Sequence, residues 1–170
     1  LAYTTVRAGF RTIGFDISAE RVKAILAGEN VINYLDEEAG SAALASGRFD
    51  ATTDFARLAE ADAIMICVPT PLRKTRDPDI SYIVSAVEEI AKYKHPDMLV
   101  VLESTTYPGT TTELVQPILE EKSGLKAGVD FHLAFSPERV DPGNEKFNTK
   151  NVPKVVGGLT PACSAHAQAL

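Results

Sequence analysis

The sequence predicts an α/β fold, a doubly wound parallel sheet with helices on both of its faces. Short apolar runs alternate with longer amphipathic runs along most of the 170 residues. The two clearest short runs, 63–68 and 98–102, are apolar at every position. Strands that are apolar throughout are buried on both faces, which is typical of a parallel sheet that helices cover.

The first part of the chain predicts strands and helices in alternation. Residues 10–16 form the first predicted strand. Ser18 is placed to cap the helix that follows, and Gly28 is placed to end it. The elements predicted next are a small-residue helix at 36–46, a strand at 49–52 and a helical turn at 54–60.

The remainder of the chain continues the alternation. After the strand at 63–68 come a helix at 80–93 with one apolar face, and then the strand at 98–102. Thr110 and Glu113 have capping-box spacing, which predicts that a helix begins at Thr110. Pro117 is expected to kink that helix. The last predicted strands are at 131–135 and from 155–156.

Composition and charge limit the possible classes of protein. Hydrophobic residues make up 45% of the chain and charged residues 24%, as in ordinary globular proteins. The net charge of −6 argues against binding to a nucleic-acid backbone, which requires a basic surface. The apolar runs are far shorter than the roughly 20 residues of a membrane-spanning helix. We therefore expect no nucleic acid, no membrane and no secretory leader.

The cysteines and histidines suggest neither disulfides nor a metal. Cys67 lies inside an apolar run and is expected to be a core residue, and Cys163 lies in a tail of small residues. The three histidines are scattered without metal-ligand spacing, so no metal site is expected. A reducing cytoplasm is the expected location.

Polar residues and prolines collect where the predicted strands end. Ligands of doubly wound sheets bind beyond the carboxyl ends of the strands. Here those ends are rich in hydroxyl groups, carboxylates and rigid turns, whereas the starts of the strands carry no such pattern. The segments concerned are Asp16, 68–71, 103–106 and 136–138.

Asp16 provides the first indication of a cofactor. An acidic residue that ends the second strand of a dinucleotide-binding fold hydrogen-bonds the adenosine ribose and repels a 2′-phosphate, which favours NAD over NADP. The alternative is that Asp16 merely precedes a helix, where acidic residues are favoured anyway. The residue alone leaves both interpretations open.

The glycine-rich loop expected about twenty residues before this acid is absent from the sequence, which begins at Leu1. We therefore expect a Rossmann-like sheet that lacks its first strand and glycine loop. Two half-sheets with unpaired edges would result. This chain alone is expected to fold poorly and to bind NAD weakly.

Three segments, in this order along the chain, are characteristic of one enzyme family. They read Cys-Val-Pro-Thr-Pro at 67–71, Glu-Ser-Thr-Thr-Tyr-Pro-Gly-Thr at 103–110, and Phe-Ser-Pro-Glu-Arg-Val-Asp-Pro-Gly at 135–143. The chain resembles the UDP-glucose/GDP-mannose dehydrogenase family in these segments. Segments 51–55, 78–81 and 152–158 resemble the branch that oxidises UDP-N-acetylglucosamine.

The resemblance implies an NAD-linked oxidation. The family converts the C6 alcohol of a nucleotide sugar to a carboxylate in two hydride transfers, using two NAD, with a cysteine thioester as the intermediate. Residues 1–170 would be part of the NAD-binding domain, and the central helix and the UDP-sugar domain would lie outside this chain. The full-length protein would be a homodimer or a larger oligomer that supplies surface polysaccharide synthesis.

The resemblance also implies roles for cofactor-binding residues. Asp16 and Arg21 match the contacts to the adenosine ribose, although Arg21 on its own could be a solvated helix residue. Ser104 and Thr105 match the loop beside the nicotinamide, where the threonine holds a catalytic water; the alternative role is a helix cap. The turn beneath the cofactor is matched by Val68, Pro69, Thr70 and Pro71.

Glu138 matches the glutamate that activates water for thioester hydrolysis, a role that suits a carboxylate beside a bound water. The alternative is a surface ion pair with Arg139. The substrate-binding segment implied by the resemblance is Glu138, Arg139, Val140 and Asp141. The basic cluster at 73–76 is read as a solvated loop, with a contact to a diphosphate as the alternative.

Two departures limit what the resemblance implies. Pro142 stands where the glucose-oxidising branch has a second glutamate, which favours an N-acetylhexosamine substrate. Cys163 lacks the sequence context of the catalytic cysteine and receives no such role. UDP-glucose and UDP-N-acetylmannosamine stay open as substrates. A non-catalytic dinucleotide-binding module is the alternative from another class of protein.

Overall fold

The computed structural model describes residues 1–29, 37–73, 78–139 and 152–170. They form two compact units, Leu1–Phe55 and Ala56–Leu170. The first contains a two-stranded sheet and the second a four-stranded sheet. The predicted α/β class is confirmed, and the two sheets agree with the expectation of two half-sheets.

The first unit pairs two strands in parallel and packs helices around them. Thr12 lies opposite Phe49, and Phe15 lies opposite Thr52. Ser18 caps the second helix as predicted, because its hydroxyl accepts the backbone N–H of Arg21 at 3.2 Å. The elements are α1 Ala2–Arg7, β1 Thr12–Phe15, α2 Ala19–Leu26, α3 Glu37–Ala45 and β2 Phe49–Thr52.

The second unit contains four more strands and the longest described helix. Its elements are β3 Ala63–Ile66, α4 Ser81–Tyr93, β4 Leu99–Leu102, α5 Gln116–Ser123, β5 His132–Phe135, β6 Gly157–Gly158 and α6 Pro161–Ala169. A 3₁₀ turn, Phe55–Glu60, precedes β3, and a π-helical turn, Thr110–Val115, precedes α5. Among the described helices, none combines the length and apolar character that crossing a membrane requires.

The strands β3, β4 and β5 share one parallel register. Ile66 lies opposite Leu102, and Leu102 lies opposite Phe135. All four residues of β4 are buried. Helix α4 contributes an apolar face to the same unit, including Ile83 and Val87, which are fully buried. Because their last residues are in register, the three strands end at the same level.

The helix predicted to begin at Thr110 does begin there, as the π-helical turn Thr110–Val115, whereas the last strand starts two residues after the predicted position. The final strand is Gly157–Gly158, antiparallel to β5, rather than a strand from 155–156. The helical segment that follows β4 is capped by Gly109, which has a φ of 90°. Thr110 does not cap it, because the Thr110 hydroxyl donates instead to the carbonyl oxygen of Tyr107 at 2.8 Å. Pro117 lies at the start of α5, where π-helical geometry gives way to α-helical geometry.

Helix α6 lies very close to the last strand. The backbone N–H of Gly158 donates to the hydroxyl oxygen of Ser164 at 3.0 Å. A Cβ on Gly158 would lie 2.1 Å from the backbone nitrogen of Ser164, whereas a Cβ on Gly157 would meet nothing within 4 Å. Only a glycine at position 158 allows this approach of the two backbones.

Basic side chains collect near the amino ends of the strands. Lys94, which follows α4, is 8% exposed, and its Nζ lies 3.4 Å from the ring centroid of Phe131. Burial lowers the pKa of Lys94 from 10.5 to about 8. The rings of His132 and His166 stack with centroids 3.7 Å apart. Burial, and then repulsion from His166, lowers the pKa of His132.

We predict that Gly158→Ala destabilises the protein by about 2 kcal/mol or more, because two backbones would have to separate. Gly157→Ala is the matched control and should change the free energy of unfolding by less than about 1 kcal/mol. Urea denaturation of both variants measures the difference. Equal stabilities would contradict the close packing of β6 against α6.

We predict that the stability advantage of Lys94→Met over the wild type shrinks as the pH rises from about 8 to 10.5. In this interval the unfolded chain binds more protons at Lys94 than the folded chain does, so the free energy of unfolding of the wild type increases with pH. Urea denaturation at both pH values tests this. Lys92→Met is the control, because a hydrogen bond from Lys92 to Glu89 raises the pKa of Lys92 above 10.5. An equal pH dependence in the two variants would refute the prediction.

Candidate cofactor-binding site

The carboxyl ends of β3 and β4 are tied together by the backbone. The carbonyl oxygen of Ile66 accepts the N–H groups of Glu103 and Ser104, at 3.0 and 3.1 Å. The N–H of Ser136 donates to the carbonyl oxygen of Leu102 at 3.0 Å. The segments that follow the three strands therefore start from fixed positions at one edge of the sheet.

The Ser104 hydroxyl fixes the turn that follows β3. It accepts the backbone N–H of Val68 at 2.9 Å and lies 2.9 Å from the carbonyl oxygen of the same residue. The carbonyl oxygen of Ile66 is a second acceptor at 3.2 Å. Ser104 is 6% exposed. Its hydroxyl is thus committed to the protein and positions Val68, the first residue of the turn.

The turn itself, residues 68–71, has little freedom. Pro69 and Pro71 each fix a φ angle and remove an N–H donor, and the carbonyl oxygen of Pro71 accepts the N–H of Asp79 at 2.8 Å. The carboxylate of Asp79 also pairs with Arg73 at 3.0 Å. Hydrogen bonds from Ser81, followed by that from Arg73, lower the pKa of Asp79 to about 2. Of the basic cluster at 73–76, only Arg73 lies within the described residues, and it is engaged in this pair.

Thr105 follows Ser104 but lies in a different environment. Its side chain is exposed, whereas Ser104 is buried. A cleft of about 320 Å³ begins at the next residue and is lined by Phe135 and residues 106–111. A chain that is held by Ser104 and presents Thr105 to solvent can offer a hydroxyl group to a ligand without moving.

Glu103 forms an ion pair that sequence reasoning missed. Its carboxylate lies 3.2 Å from the Nζ of Lys154, and the Glu103 side chain is only 10% exposed. Cys67, expected in the core, is instead exposed just beyond β3. Partial desolvation of its thiol, followed by repulsion from Glu103, raises the pKa of Cys67 to about 11. Cys67 is therefore protonated at neutral pH, which makes it a poor nucleophile.

Beyond β5 the chain changes from buried to exposed. Ser136 is 2% exposed, and its hydroxyl has no hydrogen-bond partner among the described residues. Glu138 and Arg139 are exposed, and the backbone N–H of Arg139 donates to Oε1 of Glu138 at 2.7 Å. Val140 and Asp141 lie outside the described residues.

In the first unit, Asp16 lies directly after β1. Its Oδ1 accepts the backbone N–H of Ser18 at 2.8 Å, and its Oδ2 pairs with Nη1 of Arg21 at 3.1 Å. Asp16 thus supports the start of α2, which agrees with the alternative that this acid serves the helix that follows it. Both side chains stay partly accessible, at 24% and 60% exposure, so the arrangement also leaves the pair open to a ligand.

We predict that Ser104→Ala lowers the free energy of unfolding by about 1 to 2 kcal/mol, because the N–H of Val68 loses its acceptor. Thr105→Ala, at the exposed neighbour, should change it by less than about 0.5 kcal/mol. Thermal and urea denaturation measure both variants. A Ser104→Ala variant as stable as Thr105→Ala would show that the hydroxyl does not hold the turn.

The chain is similar to known proteins over most of its length. The chain is 39% identical over 150 residues to Protein CapL of Staphylococcus aureus, covering 88% of this chain and 34% of CapL. It is 34% identical over 149 residues to UDP-N-acetyl-D-glucosamine 6-dehydrogenase of Pseudomonas aeruginosa, covering 88% of this chain and 35% of the relative. The chain therefore spans about a third of the length of these relatives.

A solved structure has a similar fold. UDP-D-ManNAc dehydrogenase of Pyrococcus horikoshii matches with a TM-score of 0.89 and 33% identity, over 99% of this chain and 40% of that chain. The sequence profile of the NAD binding domain of the UDP-glucose/GDP-mannose dehydrogenase family matches residues 1–170. The chain belongs to the UDP-glucose/GDP-mannose dehydrogenase family, and its cofactor is NAD.

Proposed function

We propose that the protein oxidises the C6 alcohol of a UDP-N-acetylhexosamine, UDP-N-acetylglucosamine in the first instance, to the uronic acid. The observation that carries the proposal is the family match over residues 1–170, together with relatives named for UDP-N-acetylhexosamines. One alcohol, two NAD⁺ and one water yield one carboxylate, two NADH and three protons. The chain would be part of the NAD-binding domain of a longer homodimeric or larger enzyme in the cytoplasm that supplies surface polysaccharides.

Asp16 and Arg21 are proposed to bind the adenosine ribose. The Asp16 carboxylate is held by the N–H of Ser18 and by Arg21, so its direction is set before a ligand arrives. A carboxylate accepts hydrogen bonds from both ribose hydroxyls and repels a 2′-phosphate. Its role at the start of α2 does not compete with this one, because a carboxylate has about four acceptor sites.

The nicotinamide end of the cofactor is proposed to bind at 68–71 and at Ser104 and Thr105. Ser104 acts there through the backbone, since its hydroxyl is committed to Val68. Thr105 is exposed and is the residue proposed to hold a catalytic water. When bound, NAD supplies the hydride acceptor, and the protein supplies a rigid surface on which to orient it.

Glu138 is proposed as the general base of the hydrolytic step. Its exposed carboxylate would take a proton from the water that attacks the thioester carbon, and the thiolate of the catalytic cysteine would leave. That cysteine would lie in the part of the enzyme beyond this chain. Arg139, Val140 and Asp141 are proposed to contact the sugar nucleotide beside Glu138.

The identity of the sugar rests on a sequence feature. The named relatives act on different N-acetylhexosamines, which leaves the configuration of the sugar open. Pro142 stands where the glucose-oxidising branch has a second glutamate, and a proline cannot accept a hydrogen bond through its side chain. Pro142 therefore favours an N-acetylhexosamine over glucose, and segments 51–55, 78–81 and 152–158 resemble the UDP-N-acetylglucosamine branch. UDP-N-acetylglucosamine is our first candidate, and UDP-N-acetylmannosamine and UDP-glucose are the alternatives.

The test is NADH formation by the product of the whole gene with each of the three UDP-sugars. We expect the highest kcat/KM with UDP-N-acetylglucosamine. Glu138→Gln should lower kcat by about 10² to 10⁴ while NAD affinity stays unchanged, because only a proton acceptor is lost. Glu121→Gln, an exposed glutamate of α5, is the control. NAD binding without turnover of any UDP-sugar would favour a non-catalytic binding module.

A further inference from the structure

The carboxyl end of β4 holds a carboxylate that is almost removed from water. Only 10% of the Glu103 side chain is exposed, and the Glu103 backbone is fixed by its bond to Ile66. Burying an unpaired carboxylate is costly, so such a group requires a cation. The cation here is Lys154, at 3.2 Å, which is itself 40% exposed.

Lys154 reaches Glu103 from a distant part of the chain, 51 residues away. Lys154 lies three residues before β6, which pairs with β5. The ion pair therefore links the segment before β6 to the end of β4. It lies next to Ser104, whose hydroxyl holds the Val68 turn. The two charges also reach the end of the neighbouring strand β3, because Glu103 raises the pKa of the Cys67 thiol and Lys154 lowers it.

We propose that Lys154 is a positioning residue that neutralises Glu103 and thereby sets the balance between oxidised and reduced cofactor. The inference rests on the proposed binding of the nicotinamide end beside Ser104 and Thr105. The nicotinamide ring is positively charged in NAD⁺ and neutral in NADH. An unpaired carboxylate near the ring would stabilise NAD⁺ relative to NADH and oppose hydride transfer to it. Lys154 removes this bias.

The experiment measures the dissociation constants of NAD⁺ and NADH separately, by titration of the whole gene product. We expect Lys154→Met to raise the ratio Kd(NADH)/Kd(NAD⁺) by about sixfold, as for a unit charge roughly 10 Å away at an effective dielectric constant of about 30. Glu103→Gln should lower the ratio by a similar factor. The double variant, which has neither charge, should return close to the wild-type ratio.

Two control variants separate this role from a merely structural one. Lys154→Arg keeps the charge and should keep the wild-type ratio. Lys122→Met breaks an exposed ion pair with Glu88 (3.1 Å) and should also leave the ratio unchanged. If the single variants weaken both forms of the cofactor by the same factor, the pair is structural and the inference is wrong.

Failure of the underlying function gives a different result. A wild-type protein that binds neither NAD⁺ nor NADH would overturn the proposed site and this inference with it. A wild-type protein that binds both forms, with ratios that do not respond to Lys154→Met or Glu103→Gln, would leave the proposed function intact and overturn only the inference. A variant that does not fold is recognised by its circular dichroism, and Glu103→Gln, which removes only the charge, then decides the question.

Discussion

The shared register of β3, β4 and β5 determines where chemistry can be placed in the second unit. The strands are hydrogen-bonded from Ala63, Leu99 and His132 onward, and β4 is buried throughout. Polar side chains with functional roles therefore cannot lie within the middle strand without a high desolvation cost. The first positions free of this constraint are those just beyond the strands, and the register brings them to a single level.

At that level, the buried residues that position the chain are different from the exposed residues that can contact a ligand. Ser104 is buried and bonds the Val68 turn, whereas its neighbour Thr105 is exposed. Ser136 and Glu138 show the same change from buried to exposed after β5. A short segment that leaves a fixed strand can thus present a side chain in a defined direction, because its preceding residue cannot move. Such preorganisation is what orientation of a cofactor requires.

The sequence predicted the elements whose burial leaves a simple pattern. The runs that form β3 and β4 are apolar throughout, as expected for strands covered on both faces. Helix α4 has one apolar face, as expected for a helix that packs on one side. Helix α6 was not predicted, and strand β6 starts two residues after its predicted position, because their small residues and glycines carry weak periodicity. Thr110 was predicted as the helix cap, but the cap is Gly109 in a left-handed conformation. Capping-box spacing contains no information about that conformation. The Glu103–Lys154 pair depends on tertiary contact across a long stretch of chain, and local spacing contains no record of it.

Titratable groups of opposite kind occupy the two ends of the second sheet. At the amino ends, burial lowers the pKa values of Lys94 and His132, so protonation there opposes folding. The carboxyl ends carry Glu103 with its cation, and Glu138 exposed to solvent. The strands of four residues separate these groups by roughly 13 Å, so a charge at one end acts on the other end more weakly than on its direct neighbours. Loss of a proton from Lys94 or His132 as the pH rises therefore changes stability mainly through the amino ends of the strands, where burial opposes the charged forms.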